Sequence, residues 1–369
     1  MNSEEHLYAI ALRECNLIGD INFFKLVKTF GTAKEVWENA KKNYHILDGI
    51  GKKAVADIGN SEYLKFAEKE LSFCEKNNIL IRLRHFNELP YLLNECDDAP
   101  SILYQKGNFD DSKKKVSIVG TRNITSYGKQ FIQDFFEKTR ATQFISVSGL
   151  ALGADKEVHE QSIHYQTPTI AILAHGFHTL YPSKNKKLAE KILEEGGALF
   201  TEFNTSRKPD RENFIQRNRI IAGLSPSTII VETGYGGGSI STANYANQYN
   251  RDVFALPGKI TDPYSQGCNK LIFQNKAIAI SSLQDLVEML GLNPNEQKIG
   301  DLFSHSETKV QLSGNQELIY ITITENPKIS LDDLSEKIQL PSHKILPIIL
   351  ELELLGMVKT FSGRQFTAI

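Results

Sequence analysis

The sequence predicts an α/β protein built on a doubly wound, mostly parallel sheet, and three observations carry that expectation. Between Val116 and Ile280, seven short apolar runs are continuous rather than alternating, as strands buried on both faces should be. Helix-like segments separate most of them, which is the pattern of βαβ units. Several runs end in a glycine-rich or hydroxyl-rich turn that feeds a helix. Such turns place free amides at the carboxyl edge of a parallel sheet, where an anion can sit.

The predicted strands are Val116–Val119, Phe144–Val147, Thr169–Leu173, Ala198–Glu202, Thr228–Val231, Asp252–Leu256 and Ala277–Ile280. This domain is expected over residues 101–290. Residues 1–100 read as a mostly helical domain, because NLIGDINFFKLVKTFG and AKEVWENA carry apolar residues at three- and four-residue steps. Within it, ILDGIGKKAVADI has the glycine-lysine core of a helix-hairpin-helix, whose turn presents amides to a nucleic-acid phosphate. The alternative is a plain tight turn between packed helices. ILIRLRHF and SILYQKG read as two strands leading into the next domain. Residues 291–315 turn polar and read as a linker. Residues 316–369 hold three helical segments and a two-stranded end, the pattern of a small winged helix.

Composition narrows the class. A 369-residue chain is expected to hold two or three domains, and 41% apolar with 23% charged residues fits a soluble globular protein. No apolar run approaches the ~20 residues that cross a bilayer, and the acidic start shows no secretory signal. Four scattered cysteines suggest reduced thiols in a cytoplasmic protein, with neither a disulfide frame nor a metal site. A net charge of −2 argues against a large electrostatic footprint but allows a narrow basic groove. The tail from Glu325 to Ile369 has five Lys/Arg and six Asp/Glu. Its second helix carries Lys344 beside Glu351 and Glu353, with Pro347 inside, so duplex reading by this tail is disfavoured.

Four motifs carry the chemistry. VSIVGTR places Gly120, Thr121 and Arg122 after the first parallel strand, where a guanidinium and a hydroxyl can grip phosphate. SVSGLALGAD places Ser148 and Gly149 at the next strand end, ahead of a helix N-terminus. There Asp155 and His159 lie four apart, which suits a hydrogen bond fixing the helix better than a metal pair. RENFIQRNRIIAGLS aligns Arg211, Phe214 and Arg217 on one side of a helix, offering cations for a backbone and a ring for a base. Arg219 falls about 200° from Arg217 and faces elsewhere, so one of the two can line a groove while the other serves the fold; both are carried as candidate single-strand contacts. IIVETGYGGGS ends in Gly237 and Ser239 without the Lys-Ser/Thr of a P-loop. From Ser239 to Asn250 there is no Asp, Glu, Lys, Arg or His, so this socket suits holding a ligand rather than cutting one.

Together these segments resemble the DNA-processing protein A family, also called DprA or Smf. VGTR, TSYG, SGLALGAD, YPSKN, GGALFTE, RNRIIAGLS, GGSISTA and VFALPG occur in the family's order over about half the chain. Ala154, Ala174 with His175, and the GGSIST turn depart from the usual pattern and bear on loop shape. The resemblance implies an extended Rossmann-like domain flanked by an N-terminal helical domain and a C-terminal winged helix. It implies a non-enzymatic, cofactor-free cytoplasmic protein that binds single-stranded DNA during natural transformation. It further implies protection of that DNA, loading of the RecA recombinase and action as a homodimer. Arg122 and the Arg211–Phe214–Arg217 segment match the family's single-strand site.

Two other readings compete. A Rossmann-type nucleoside monophosphate phosphoribohydrolase of the lysine-decarboxylase-like group has a related glycine turn, but the glutamate its chemistry needs is missing from GGGSISTANYA. A sequence-specific regulator would act through the tail, whose charge balance argues against it.

Overall fold

The computed structural model describes residues 3–47, 49–292, 314–326, 329–355, 357–361 and 365–368. They fall into two units, Met1–Pro294 and Asn295–Ile369. No helix among the described residues is long and apolar enough to cross a membrane.

The first unit opens with four helices: α1 (Ser3–Glu14), α2 (Asp20–Phe30), α3 (Ala33–Asn39) and α4 (Ser61–Lys76). Local signals set their starts. Thr32 and Glu35 form a reciprocal capping box on α3, and the Asn60 side chain accepts from Glu62 N at α4. Phe23, Leu26, Val36 and Trp37 bury one face of this layer. The helix-hairpin-helix expectation is corrected here. Residues 52–59 form successive turns, with Ala54 N bonding Gly51 O and Ile58 N bonding Val55 O, and the next helix begins only at Ser61. Three-residue bonds of this kind bring Ile50, Ala54, Val55 and Ile58 into the helical core, so burial rather than an open amide turn sets the local path.

Nine strands form one sheet in the order β1-β2-β6-β5-β4-β3-β7-β8-β9. They are β1 (Ile79–Leu83), β2 (Ile102–Gly107), β3 (Lys114–Val119), β4 (Phe144–Ser148), β5 (Thr169–Ile172), β6 (Ala198–Thr201), β7 (Ser227–Ile230), β8 (Asp252–Ala255) and β9 (Ile278–Ala279). From β6 to β9 every neighbour is parallel. The strands predicted from the sequence match β3 to β9 within about two residues at each end. β1 and β2 pair antiparallel with each other, and β2 adds antiparallel to β6. They therefore extend the central sheet rather than merely preceding it, and the boundary expected at residue 100 falls between two paired strands.

The remaining helices are α5 (Tyr91–Asn94), α6 (Ser126–Thr139), α7 (Ala154–His164), α8 (Lys186–Glu194), α9 (Arg211–Gly223), α10 (Gly238–Gln248), α11 (Gln266–Phe273) and α12 (Leu283–Met289). They cover both sheet faces, as the doubly wound expectation requires. One core joins Val119, Ile145, Val147, Ile172 and Ile230 of the strands to Ile220, Ile221 and Ala243 of α9 and α10. The opposite core joins Ile118 and Phe254 to Phe135 and Phe136 of α6, Val158 of α7 and Leu286 of α12.

The second unit runs α13 (Asn315–Glu325), β10 (Ile329–Ser330), α14 (Leu331–Ile338), α15 (Ser342–Leu354), β11 (Val358–Phe361) and β12 (Gln365–Ala368). Its three strands are antiparallel in the order β10-β12-β11. Ile319, Leu334, Ile345, Ile349 and Phe366 form its own core. Helix α15 continues through Pro347.

Candidate functional site

The sheet winds outward in two directions from β3, through β4 on one side and β7 on the other. Loops after β3 and β7 therefore diverge and leave a crevice at their carboxyl ends, where open sheets bind ligands. A cleft of about 800 Å³ lies there. Gly120–Arg122 form one wall, Thr233–Ser239 another, and α9 with Phe214 the third.

Arg122 is exposed and has no hydrogen bond or ion pair among the described residues. Its Cζ lies 5.3 Å from the centroid of the half-buried Phe214 ring. Tyr181 meets the same ring edge-on at 5.8 Å and is 48% exposed. The backbone that presents Arg122 is pinned, because Ala154 N donates to Thr121 O at 3.0 Å. Gly153 has φ +79, and a side chain there would collide with the backbone of Thr121 and Arg122. The next segment is held by buried Glu232, which accepts from Thr125 N at 2.8 Å and Thr125 Oγ1 at 2.6 Å. Across the cleft, α10 starts at Gly237 as N-cap, and the buried Ser239 Oγ has no partner among the described residues. An uncompensated guanidinium, a half-covered ring, a helix N-terminus and an unbonded hydroxyl thus line one cleft of otherwise largely apolar surface. That set suits a phosphate with an attached planar group.

Of the residues selected from the sequence, Gly120, Thr121, Arg122, Arg211, Phe214, Arg217, Gly237 and Ser239 line this cleft. Arg211 is exposed at the start of α9. Four positions differ from expectation. Ser148 is fully buried and its Oγ donates to Ile118 O at 2.7 Å, so it braces adjacent strands instead of facing an anion. Gly149 is buried, and a Cβ there would strike the Arg217 guanidinium; its smallness makes room for that side chain. Arg217 is 3% exposed and donates through Nη1 to Gly149 O at 2.6 Å and to Ile172 O. Burial, with the neighbouring Arg122 charge, pushes its pKa down to about 10, and Asp155 opposes that shift. Arg217 is therefore a brace beneath the cleft, 5.8 Å under the Phe214 ring, rather than an open clamp. Arg219 is buried away from the cleft, where it bonds Glu202, the Asp98 carbonyl and, at 3.2 Å, Asp20. Burial opposes its charge, but these acids outweigh it and raise its pKa.

The expected Asp155–His159 hydrogen bond gives way to two others. Asp155 Oδ2 accepts from Ala151 N at 3.3 Å, and His159 Nδ1 pairs with Thr169 Oγ1 at 2.8 Å. Burial raises the Asp155 pKa, with the Arg217 charge opposing. Burial pushes His159 down to about 3, and Arg217 adds to the effect.

Sequence reasoning overlooked two tyrosines on this rim. Tyr181 lies in the YPSKN segment, and Tyr264 lines the cleft while its hydroxyl accepts from Asn123 Nδ2 at 3.1 Å. Their signal was an aromatic beside proline in each loop, YPSKN and DPYSQG, which marks a ring held on a fixed turn.

Residues 81–291 match the profile of the family described as DNA recombination-mediator protein A. The chain belongs to this family. It is 30% identical to protein Smf of Synechocystis over 339 residues, covering 89% of this chain and 82% of that protein. It is 39% identical to the DNA processing protein DprA of Bacillus subtilis over 205 residues, covering 55% of this chain and 68% of that one. Among solved structures, DprA of Streptococcus pneumoniae aligns with a TM-score of 0.56 at 28% identity, over 73% of this chain and 98% of that chain. DNA processing protein A of Helicobacter pylori, solved to show its single-stranded DNA binding mode, aligns with a TM-score of 0.51 at 29% identity, over 55% and 92%. The sequence-based family assignment and the DNA-processing, recombination-mediator role therefore stand.

Proposed function

We propose that this protein binds single-stranded DNA in the cleft between the β3 and β7 loops. In this reading it shields the strand and passes it to a RecA-type recombinase, acting as a homodimer during natural transformation. The observation that carries the binding step is Arg122, an unpaired guanidinium stacked on a half-exposed ring at the switch point of the sheet. Cation and ring are the two elements a single strand needs, one for its backbone and one for a base face. The Helicobacter pylori relative supports the reading, since its structure reports single-strand binding on the same fold. Ser239 and the amides of α10 offer an anion seat, and that turn carries no acid or base for hydrolysis. We read no catalytic step and no cofactor here.

We read the second unit as a winged helix by its order of helices and strands. Exposed Lys344 shares α15 with exposed Glu351 and Glu353, which disfavours insertion between duplex phosphates. Single strand is thus the preferred ligand of the whole chain.

Fluorescence anisotropy with single-strand and duplex oligomers at several salt concentrations tests this. Arg122→Ala should weaken single-strand binding across sequences and flatten the salt slope by ~0.7, one phosphate contact. An unchanged slope and affinity would remove the cleft from consideration.

A further inference from the structure

A second cavity of about 460 Å³ opens beside the cleft, and Pro209 and Asp210 line both. Phe66 of α4 forms one side, and Asn204, Arg207 and Lys208 from the loop between β6 and α9 form the other. Arg207 and Lys208 are exposed, and neither side chain has a hydrogen bond or ion pair among the described residues.

The loop beneath these cations is fixed from several directions. Thr205 donates through N and Oγ1 to the two oxygens of buried Glu70 on α4, each at 2.6 Å. Gly176 N donates to Arg207 O at 2.8 Å, His178 N to Thr205 O at 2.7 Å, and Asn213 Nδ2 to Lys208 O at 3.1 Å. With the backbone already pinned, an arriving anion need not order the loop, and the entropy it costs is confined to the two side chains. The acids at this wall are hydrogen-bonded to neutral amides and keep their charge, so the two cations are partly offset. Glu14 accepts from Asn204 Nδ2 at 2.7 Å, and Asp210 caps α9 by accepting from Glu212 N at 3.0 Å.

We propose that a single strand leaving the main cleft continues over the Arg207–Lys208 loop, where the two cations hold two further phosphates against the wall formed by α4. This inference rests on the cleft reading above. The wall the two cavities share at Pro209 and Asp210, and the two unpaired cations Arg207 and Lys208 beyond it, favour further nucleotides of the same strand as the occupant.

The test uses full-length protein with oligothymidines of about 4 and about 16 nucleotides, the ends of the usual site-size range. The double substitution Arg207→Ala with Lys208→Ala should lower the salt slope for the long oligomer by ~1.4, two contacts at ~0.7 each. Its binding of the short oligomer should stay at the wild-type value. Wild-type slope and affinity for the long oligomer would overturn the proposal, as would an equal loss for both lengths, which would place these cations in the main cleft. Arg122→Ala run in parallel should weaken both lengths. If it weakens neither, the cleft reading itself has failed, and with it the strand that this extension continues.

Discussion

Arg217 and Arg219 stand two residues apart in one helix, and each serves a different part of the fold. Arg217 holds the ends of β4 and β5 through the Gly149 and Ile172 carbonyls. Arg219 joins the N-terminal layer to α9, because Asp20 opens α2 and Glu202 follows β6. Arg219→Met would leave the buried Glu202 without its cation, while Asp20 keeps Arg13 at 3.2 Å; stranding a buried charge in this way typically costs about 3–5 kcal/mol. Denaturant unfolding should show that loss, while the salt slope for single-strand binding stays at the wild-type value. The sequence told us that these two arginines point in different directions, because helix geometry alone decides that. It did not tell us that both are covered, since burial depends on strands distant in the chain. Ser148 illustrates the same gap: a hydroxyl at a strand end faces either a ligand or its neighbour, and only the register chooses. Arg122 was legible because its place, immediately after a central strand, is fixed by topology rather than packing.

At the scale of elements, α7 carries a titratable group that should register in stability. His159 is fully buried against Thr169 and is held neutral, its pKa pushed from 6.5 to about 3. The unfolded chain therefore takes up a proton that the folded chain refuses. Stability from this site is complete above pH 6.5 and is lost as pH falls toward 3, at up to about 1.4 kcal/mol per pH unit. His175, also lowered by burial, acts in the same sense. His159→Gln should keep the Thr169 contact and make the acid limb of a stability–pH curve shallower; an unchanged limb would show that the imidazole is not held neutral. The strands themselves were readable because both faces of the sheet are covered, leaving unbroken apolar runs. The turns after Gly51 were not, since a glycine-lysine segment has the same spelling whether or not a helix follows it.

For the whole molecule, separate cores in the two units predict separable behaviour. Ending the chain at Pro294 should leave single-strand affinity and salt slope unchanged, as anisotropy would show. A drop in slope would mean that the second unit contributes phosphate contacts despite its excess of acid. The division at the other end is different in kind, because β1 and β2 stitch the helical layer into the central sheet. A fragment beginning at residue 101 would strip β1 from Ile102–Gly107 and move the sheet's edge to β2, whose first four residues are buried in the full fold, with the groups that β1 had paired left open on that side. Such a margin recruits other chains. β1 therefore acts as a selvage that covers the apolar β2 and keeps the sheet from fraying into aggregates, and trimming experiments on this protein should cut upstream of Ile79.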